Sequence, residues 1–260
     1  MRQSHSLGQV FLTDKNYARK IINFLDVNNE VVLEIGSGPG DISAQIVEKC
    51  KFLYCVEFDP RFITILETKF QNNDNVKIIH YDILKFPISK LGGKVVVFGN
   101  VPYQISNSLI GYFVENRSAI KKAYLTFQKE FVNKLIAKPG SKDYGFLSCY
   151  AQYYAGIKKF FDIPKGAFTP IPKVDSSFMT LEFYDKPLEK AQDENLLFKM
   201  IREAFGQCRK KIANSLSKFI MAEDLFSSLN IDSNMRAENI SLKQYVDIAN
   251  KISKERLKCK

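Results

Sequence analysis

The stretch Val31-Val32-Leu33-Glu34-Ile35-Gly36-Ser37-Gly38-Pro39-Gly40-Asp41 decides the fold of this 260-residue chain. Its first five residues form an apolar run typical of a buried β-strand. The glycines that follow let the main chain turn sharply and let a ligand lie against bare backbone. The spacing is GxGxG, with Asp at position 41, which differs from the GxGxxG pattern of nicotinamide enzymes. The stretch therefore predicts a strand followed by a ligand-binding turn, with a purely structural turn as the alternative.

Strand-like runs alternate with amphipathic stretches throughout residues 30–128. The predicted strands are Val31–Ile35, Phe52–Val56, Val76–His80, Val95–Phe98 and Ala123–Phe127, and the predicted helices include Ile42–Cys50, Pro60–Phe70 and Ser106–Glu115. This alternation predicts a parallel sheet covered by helices on both faces. Ligands of such sheets bind at the carboxyl ends of the strands. The residues that directly follow each strand are therefore the candidates for chemistry.

Two acids stand at the next two strand ends. Glu57 ends the second strand, where a carboxylate can accept hydrogen bonds from two ribose hydroxyls, and Phe58 beside it can pack on an adenine ring. Asp82 follows the third strand and can accept from an adenine amino group, while Ile83 offers an apolar surface. Together with the acidic, glycine-rich first turn, which suits a ligand without phosphate, these residues predict S-adenosylmethionine as the cofactor.

The fourth strand is followed by Asn100-Val101-Pro102-Tyr103. An aromatic amine is a poor nucleophile because its lone pair is delocalised into the ring. The amide oxygen of Asn100 and the carbonyl oxygen of Pro102 can accept its N–H groups and favour a pyramidal nitrogen, while Tyr103 can stack on an extracted base. Orientation and electrostatic placement, without a strong general base, are then sufficient. The sequence predicts a catalytic loop that methylates the exocyclic amine of adenine, with a plain turn as the alternative.

The positive charge of the chain is concentrated in one segment. The net charge is +10; residues 1–116 are neutral, residues 117–173 carry +8 and residues 174–260 carry +2. A polyanion that binds the basic segment would gain affinity through counterion release, so a nucleic-acid partner is expected, with a solvated basic surface as the alternative. No apolar run is long enough to span a membrane and none resembles a signal peptide, so we expect a cytoplasmic protein without a membrane partner.

The remaining sequence sets the domain organisation. Phe168–Ser176 has two prolines in three residues and predicts a rigid extended loop, and Ser177–Phe183 alternates like a closing strand. From residue 195 the pattern is helical. We expect a Rossmann-like α/β methyltransferase domain with a seven-stranded sheet over 1–184 and a small all-α domain over 185–260. With five scattered cysteines and two histidines, the sequence predicts neither a metal site nor a disulfide framework.

Several segments together resemble one known family, the bacterial small-subunit ribosomal RNA adenine dimethyltransferases (the KsgA family). The likeness covers nearly the whole chain. Its markers are Leu7–Leu12, the Gly36 loop, Asn100–Tyr103, Gln128–Glu130, Tyr144-Gly145, Phe168–Ser176, Phe205–Gln207 with Arg209–Lys211, and Met235–Ser241. The C-terminal segments favour this family over the related erythromycin-resistance methylases of the large subunit.

The resemblance implies dimethylation of the N6 amines of two adjacent adenosines, in a hairpin loop near the 3′ end of small-subunit (16S) ribosomal RNA, during late subunit assembly. It implies action on the pre-assembled small subunit, with the 185–260 domain binding RNA or the ribosome. Nothing in the sequence suggests an obligate oligomer, so we expect a monomer. The implied cofactor-binding residues are Gln9, Val10, Leu12, Gly36, Glu57, Asp82 and Asn100, to which the strand-end pattern adds Gly38, Phe58 and Ile83. Phe168 would be a second aromatic beside the target base, next to Tyr103.

One departure from the family concerns position 10, where Val replaces the usual Asn or His, so that only a main-chain contact would survive there. Three alternatives to the implied function stay open. They are a large-subunit RNA adenine methylase, a DNA adenine methylase, and a non-catalytic ribosome-assembly or transcription factor that keeps the fold.

Overall fold

The structure, a computed structural model, describes residues 10–220 and 224–258. These residues fall into two compact units, unit 1 within 1–132 and 156–183, and unit 2 within 133–155 and 184–260. The predicted boundary at 184/185 lies one residue from the observed boundary at 183/184. The division differs from the prediction in one respect, because residues 133–155 pack with unit 2 although they precede that boundary. No helix in the described ranges is both long and apolar enough to cross a membrane.

Unit 1 contains two sheets and the helices between their strands. Its strands are β1 (Phe11–Leu12), β2 (Val31–Ile35), β3 (Phe52–Glu57), β4 (Val76–His80), β5 (Val95–Asn100), β6 (Ile120–Gln128), β7 (Ala155–Ile163), β8 (Phe168–Thr169) and β9 (Ser176–Phe183). Its helices are α1 (Lys15–Phe24), α2 (Ser43–Ile46), α3 (Pro60–Lys69), α4 (Ser106–Glu115) and α5 (Lys129–Ile136), the last of which runs into unit 2.

The larger sheet has the expected seven strands, and their order is β4-β3-β2-β5-β6-β9-β7. Strand β1 pairs separately with β8. The strands from β4 to β6 are parallel, and β9 is antiparallel to β6. All five predicted parallel strands are present. Strand β7 was not predicted, since only its first and last residues are buried and it has no alternating pattern.

The centre of the sheet is buried on both faces. In β2 the consecutive residues from Val32 to Ile35 are all buried, which is typical of a parallel strand covered on both sides. Ile21 of α1 and Leu66 of α3 lie with Val32 in one hydrophobic cluster on one of these faces. The acid Glu34 is also buried there, which the apolar pattern of the strand did not predict.

The helix after the glycine turn is shorter than predicted. Ile42–Cys50 was expected to be helical, but α2 spans only Ser43–Ile46 and turns follow it. The reason is that the main chain beyond α2 bonds elsewhere: the carbonyl of Lys49 accepts from Asn29, and the amide of Lys51 donates to Glu30. The start of α3 agrees with the prediction, since the Asp59 carboxylate accepts from the amide of Arg61.

Unit 2 is helical. Its helices, besides the end of α5, are α6 (Phe146–Tyr154), α7 (Glu194–Gly206), α8 (Ile212–Ser215), α9 (Leu225–Ser228) and α10 (Leu242–Lys258). Helix α6 belongs here because its aromatic residues pack on α7. The hydroxyls of Tyr153 and Tyr154 donate to Glu194 at 3.1 and 2.7 Å, and both rings contact Phe198. This pairing is not visible in the helical periodicity of either segment.

Successive strands are added to the sheet on opposite sides of β2. Strands β3 and β4 follow on one side of β2, whereas β5 and β6 follow on the other. The connections from β2 and β5 therefore leave in opposite directions, and a crevice opens at the carboxyl ends of these two strands.

Candidate active site

A cavity of about 300 Å³ lies at this crevice in unit 1. Eight of the predicted site residues line it, namely Val10, Gly36, Glu57, Phe58, Asp82, Ile83, Asn100 and Pro102. They come from the ends of four parallel strands and from the segment before β1. The structure thus brings together residues that are separated by up to 92 positions.

The glycine turn exposes its main chain to this cavity. Gly36 has φ +67°, and a Cβ atom there would meet nothing within 4 Å. Gly38 has φ +53°, but a Cβ there would lie 2.8 Å from the ring of Phe11. Glycine at 38 is therefore needed for close packing as well as for the left-handed conformation. Gly38 does not line the cavity, and its amide serves instead to hold an acid.

That acid is Glu57. Its Oε2 accepts from the amide of Gly38 at 2.9 Å, and its Oε1 accepts from the amides of Phe58 and Asp59, both at 2.8 Å. Burial raises the pKa of Glu57, while the three amide donors act in the opposite direction. The carboxylate is fixed at the cavity wall, and Oε2 retains a lone pair for a further donor. This geometry suits acceptance from a ribose hydroxyl.

Aromatic side chains surround the mouth of the cavity beyond Glu57. Phe58 is 57% exposed and Tyr81 is 45% exposed, which is unusual for large apolar groups and gives flat surfaces for an adenine ring. Asp82 lies next to Tyr81; its Oδ1 accepts from the amide of Leu84 at 3.0 Å, which fixes the carboxylate. Ile83 is buried below it. These residues form an adenine-sized subsite with one acceptor.

Asn100 lies at the end of β5 and faces the same cavity. Its side-chain nitrogen donates to the main-chain carbonyl of Val10 at 2.8 Å. With the nitrogen engaged, the amide oxygen is the atom that can accept from a substrate amine. Position 10 contributes through its main chain, which any residue type can provide.

Pro102 and Tyr103 form a turn after Asn100. The carbonyl of Pro102 accepts from the amide of Ile105 at 3.2 Å, which uses one of its two lone pairs and leaves the other for a substrate. The Tyr103 hydroxyl lies 2.7 Å from Oγ of Ser176. Burial raises the pKa of Tyr103. Tyr103 is half-buried and does not itself line the cavity, although its neighbours Pro102 and Gln104 do.

Two predicted site residues, Phe168 and Leu12, lie away from this cavity, and a third falls outside the described residues. Phe168 is 1% exposed and belongs to the hydrophobic core cluster, so the expectation that it faces the target base does not agree with this structure. The reason is its pairing with Leu12, which draws the start of the proline-rich loop against β1. Leu12 lines a separate cavity, and Gln9 lies outside the described residues.

This second cavity, of about 220 Å³, adjoins the first at Phe11, Gly36 and Asn100. Glu34 lines this second cavity, and burial raises its pKa to about 7. The thiol of Cys55 lies 3.7 Å from Oε2 of Glu34. A titratable acid therefore lies directly beneath the glycine turn.

Seven residues that line the cavity were not predicted as site residues, among them Phe11, Tyr81 and Gln104. Phe11 belongs to Leu7–Leu12, one of the segments that resemble the family. An apolar residue there does not by itself predict packing on Gly38. Gln104 directly follows the predicted catalytic loop. Extending that loop by one residue would have found it.

The donors and acceptors of the main cavity fit S-adenosylmethionine. Gly36 leaves room for a ligand against the main chain, Glu57 can hold a ribose, and Asp82 with Phe58 can hold an adenine ring. The charged residues of the cavity walls, Glu57 and Asp82, are both acidic, which suits a cationic nucleoside that has no phosphate and disfavours a dinucleotide.

The basic segment differs from the expected open positive surface. Lys121, Lys122, Lys129 and Lys159 form ion pairs with Glu30, Glu182 and Asp162. Two of these acids lie outside residues 117–173, so the excess of +8 counted along the sequence is partly neutralised in space. The charge available to a polyanion in unit 1 is smaller than the count suggests.

The sequence of the chain was compared with models of known protein families. The family model described as ribosomal RNA adenine dimethylase matches residues 1–254. The chain belongs to the ribosomal RNA adenine dimethylase family. This confirms the resemblance inferred from the sequence, the fold class, and the expectation of an S-adenosylmethionine-dependent ribosomal RNA adenine dimethyltransferase.

Individual relatives of this dimethylase support the assignment. Ribosomal RNA small subunit methyltransferase A of Alkaliphilus oremlandii is 35% identical over 266 residues, covering 97% of this chain and 92% of the relative. The protein with the same name in Aromatoleum aromaticum is 37% identical over 253 residues, covering 97% and 95%. A dimethyladenosine transferase from Plasmodium falciparum has the same fold, with a TM-score of 0.83 at 22% identity over 95% of this chain and 98% of that one.

Proposed function

We propose that this dimethylase methylates the N6 amines of two adjacent adenosines in small-subunit ribosomal RNA, within a hairpin loop near its 3′ end. The proposal depends mainly on the position of Asn100. This residue lines the cavity at the carboxyl ends of the strands, and its side-chain nitrogen donates to the carbonyl of Val10. That arrangement leaves an amide oxygen for an adenine amine. The relatives named small-subunit methyltransferases, which match along nearly the full length, support the choice of RNA.

The cofactor subsite is formed by Gly36, Glu57, Phe58, Asp82 and Ile83. When bound, S-adenosylmethionine supplies a methyl group that its sulfonium has already activated, so a strong general base is not required. The chain's own task is to place a target nitrogen in line with that group. Water can take the proton that the amine loses.

Placement of the amine falls to the loop after β5. The amide oxygen of Asn100 and the remaining lone pair of Pro102 accept its two N–H groups in the first transfer, which favours a pyramidal nitrogen. In the second transfer the amine has one N–H, so one of the two acceptors must tolerate a methyl group. Tyr103 supports the ring of the flipped base by stacking.

RNA binding outside the pocket is assigned to unit 2. Arg209, Lys210 and Lys211 are all exposed there, and they belong to one of the C-terminal segments in which this sequence resembles the small-subunit enzymes. We propose that this segment contacts phosphates of the assembling subunit. The expectation of a cytoplasmic monomer that acts on a pre-assembled subunit is part of the same proposal.

The test is to incubate the protein with labelled S-adenosylmethionine and either unmodified small subunits or unmodified large subunits, and to map the methylated nucleotides. Dimethylation of two adjacent adenosines near the 3′ end of the small-subunit RNA would support the proposal. Label confined to large-subunit RNA, label on DNA in a parallel reaction, or no transfer with full subunit binding would each contradict it. The last result would indicate a non-catalytic assembly factor.

A further inference from the structure

A buried serine in the second half of unit 1 lies against the proposed catalytic loop. Ser176 is 0% exposed, and its Oγ lies 2.7 Å from the hydroxyl of Tyr103, 73 positions away in sequence. Ser176 begins β9 and directly follows the proline-rich loop. A side-chain hydrogen bond thus joins the predicted catalytic loop to the end of the proline-rich loop.

The main chain around Ser176 is fixed from several directions. Ser176 is paired with Gln128 of β6. The carbonyl of Asp175 accepts from the amide of Lys129 at 3.0 Å, and the carboxylate of Asp175 accepts from the amide of Lys165 at 3.0 Å. The serine hydroxyl is therefore a rigid partner and not a mobile surface group.

The other end of the Tyr103 side chain is equally constrained. Tyr103 begins a short 3₁₀ helix that extends to Ile105. The amide of Ile105 donates to Pro102, and the amide of Val101 donates to the carbonyl of Thr126 at 3.3 Å. A tyrosine ring has two side-chain torsions, and a hydrogen bond at its hydroxyl restricts both when the main chain is fixed.

An ordinary tyrosine hydroxyl is already protonated at neutral pH, and burial and the nearby charge of Asp175 raise the pKa of Tyr103 further. The hydrogen bond is therefore available over the whole range in which the protein would act. Either oxygen can be the donor, so the contact needs no particular protonation event.

We propose that Ser176 is a positioning residue that holds the ring of Tyr103 at the edge of the cavity, ready to stack on the target adenine. This inference rests on the stacking role given to Tyr103 above. Without the hydrogen bond, the ring would sample other rotamers and would have to be reordered whenever a base enters. The loss should affect the reaction with RNA and leave cofactor binding unchanged.

The test combines Ser176→Ala, Tyr103→Phe, the double variant and Tyr103→Ala. We expect Ser176→Ala and Tyr103→Phe each to lower kcat/KM for RNA by about five- to tenfold, the range of one hydrogen bond. Because both changes remove the same bond, the double variant should be no slower than either single one. Cofactor affinity, measured by titration calorimetry, should stay within twofold of the unaltered protein.

Ser177→Ala is the matched control. Ser177 is also 0% exposed, and its Oγ donates to Oδ1 of Asp162 at 2.6 Å, on the other side of the same strand. We expect a loss of thermal stability similar to that of Ser176→Ala but an unchanged kcat/KM. Tyr103→Phe removes the same hydrogen bond by deleting the hydroxyl of the half-buried tyrosine. The test therefore remains possible if Ser176→Ala does not fold.

The results distinguish the positioning role of Ser176 from the stacking role of Tyr103. Effects of Ser176→Ala and Tyr103→Phe that multiply in the double variant, or unchanged turnover in both, would overturn the positioning role while a slow Tyr103→Ala still supported stacking. If Tyr103→Ala turned over as fast as the unaltered protein, the stacking role in the proposed function would fail instead.

Discussion

The side-chain nitrogen of Asn100 donates to the main-chain carbonyl of Val10 across 90 positions of sequence, at 2.8 Å. This bond joins the end of β5 to the segment that precedes β1. It also settles the direction of the amide, because the oxygen is left for a partner in the cavity. At position 10, where Val replaces the usual polar residue of the family, this contact is made by the main chain and does not depend on the side chain.

Asn100→Ala should lower methyl transfer by a factor of about 10² to 10³, the usual loss when one positioned polar contact of a transition state is removed. Cofactor affinity should fall only a few-fold. Single-turnover rates with labelled cofactor and small subunits measure the first, and calorimetry measures the second.

Val10→Ala is the control for this variant, because it preserves the carbonyl that Asn100 binds. It should transfer methyl groups at nearly the normal rate. Turnover of Asn100→Ala within threefold of normal would exclude Asn100 from catalysis.

Glu57→Ala should weaken cofactor binding and also destabilise unit 1. The carboxylate accepts from three main-chain amides, and a buried donor without its acceptor costs about 1–3 kcal/mol. The expected results are a loss of cofactor affinity of at least tenfold in calorimetry, a lower Tm, and unchanged RNA affinity in filter binding.

Phe58→Ala is a useful comparison, because it removes the exposed neighbour and keeps the carboxylate. It should weaken cofactor binding without a comparable change in Tm. Unaltered cofactor affinity in Glu57→Ala would refute its role in ribose binding.

Glu34 should make the stability of the cofactor-free protein depend on pH. Its pKa rises from 4.5 to about 7 on folding because the carboxyl is buried. Between these values the unfolded state loses its proton while the folded state keeps it, so stability decreases as pH rises from about 4.5 to 7 and then levels off. The shift corresponds to at most roughly 3 kcal/mol.

Glu34→Gln cannot ionise, so it should gain stability relative to the unaltered protein as pH rises through that window. Urea unfolding at pH 4.5, 6 and 8 measures the difference between the two proteins. A difference that is constant over this range would show that Glu34 ionises normally in the folded state.

Removal of the exposed charges at Arg209 and Lys210 should reduce affinity for small subunits. Each lost phosphate contact lowers the slope of log affinity against log salt by somewhat less than one. Arg209→Gln with Lys210→Gln should therefore reduce that slope by up to about 2, with unchanged cofactor affinity.

The control is Lys121→Gln with Lys122→Gln, whose lysines are paired with Glu30 and Glu182. The control protein should keep the original slope. Equal slopes for the Arg209 and Lys210 variant and the unaltered protein would remove this segment from the RNA contact.

The sequence was sufficient where the signal is local. Apolar runs between helical patterns place β2 to β6, because a parallel strand buried on both faces must be apolar at consecutive positions. Residues that follow those runs identify Glu57, Asp82 and Asn100 as site candidates, since carboxyl ends of parallel strands share one edge. The sequence did not predict β7, whose middle residues are only partly buried or exposed.

The tertiary structure decided what depends on contacts between distant segments. Pairing of Leu12 with Phe168 buries a side chain expected beside the target base. Aromatic packing on Phe198 assigns α6 to unit 2, and acids from other elements neutralise lysines that a count along the chain leaves positive. The sequence by itself thus predicted the family and the cofactor correctly, and it singled out Asn100–Tyr103 as the candidate catalytic loop. Only the folded chain decided which partners these residues contact, because hydrogen bonds and packing between segments 44 to 156 positions apart leave no periodic pattern in the sequence.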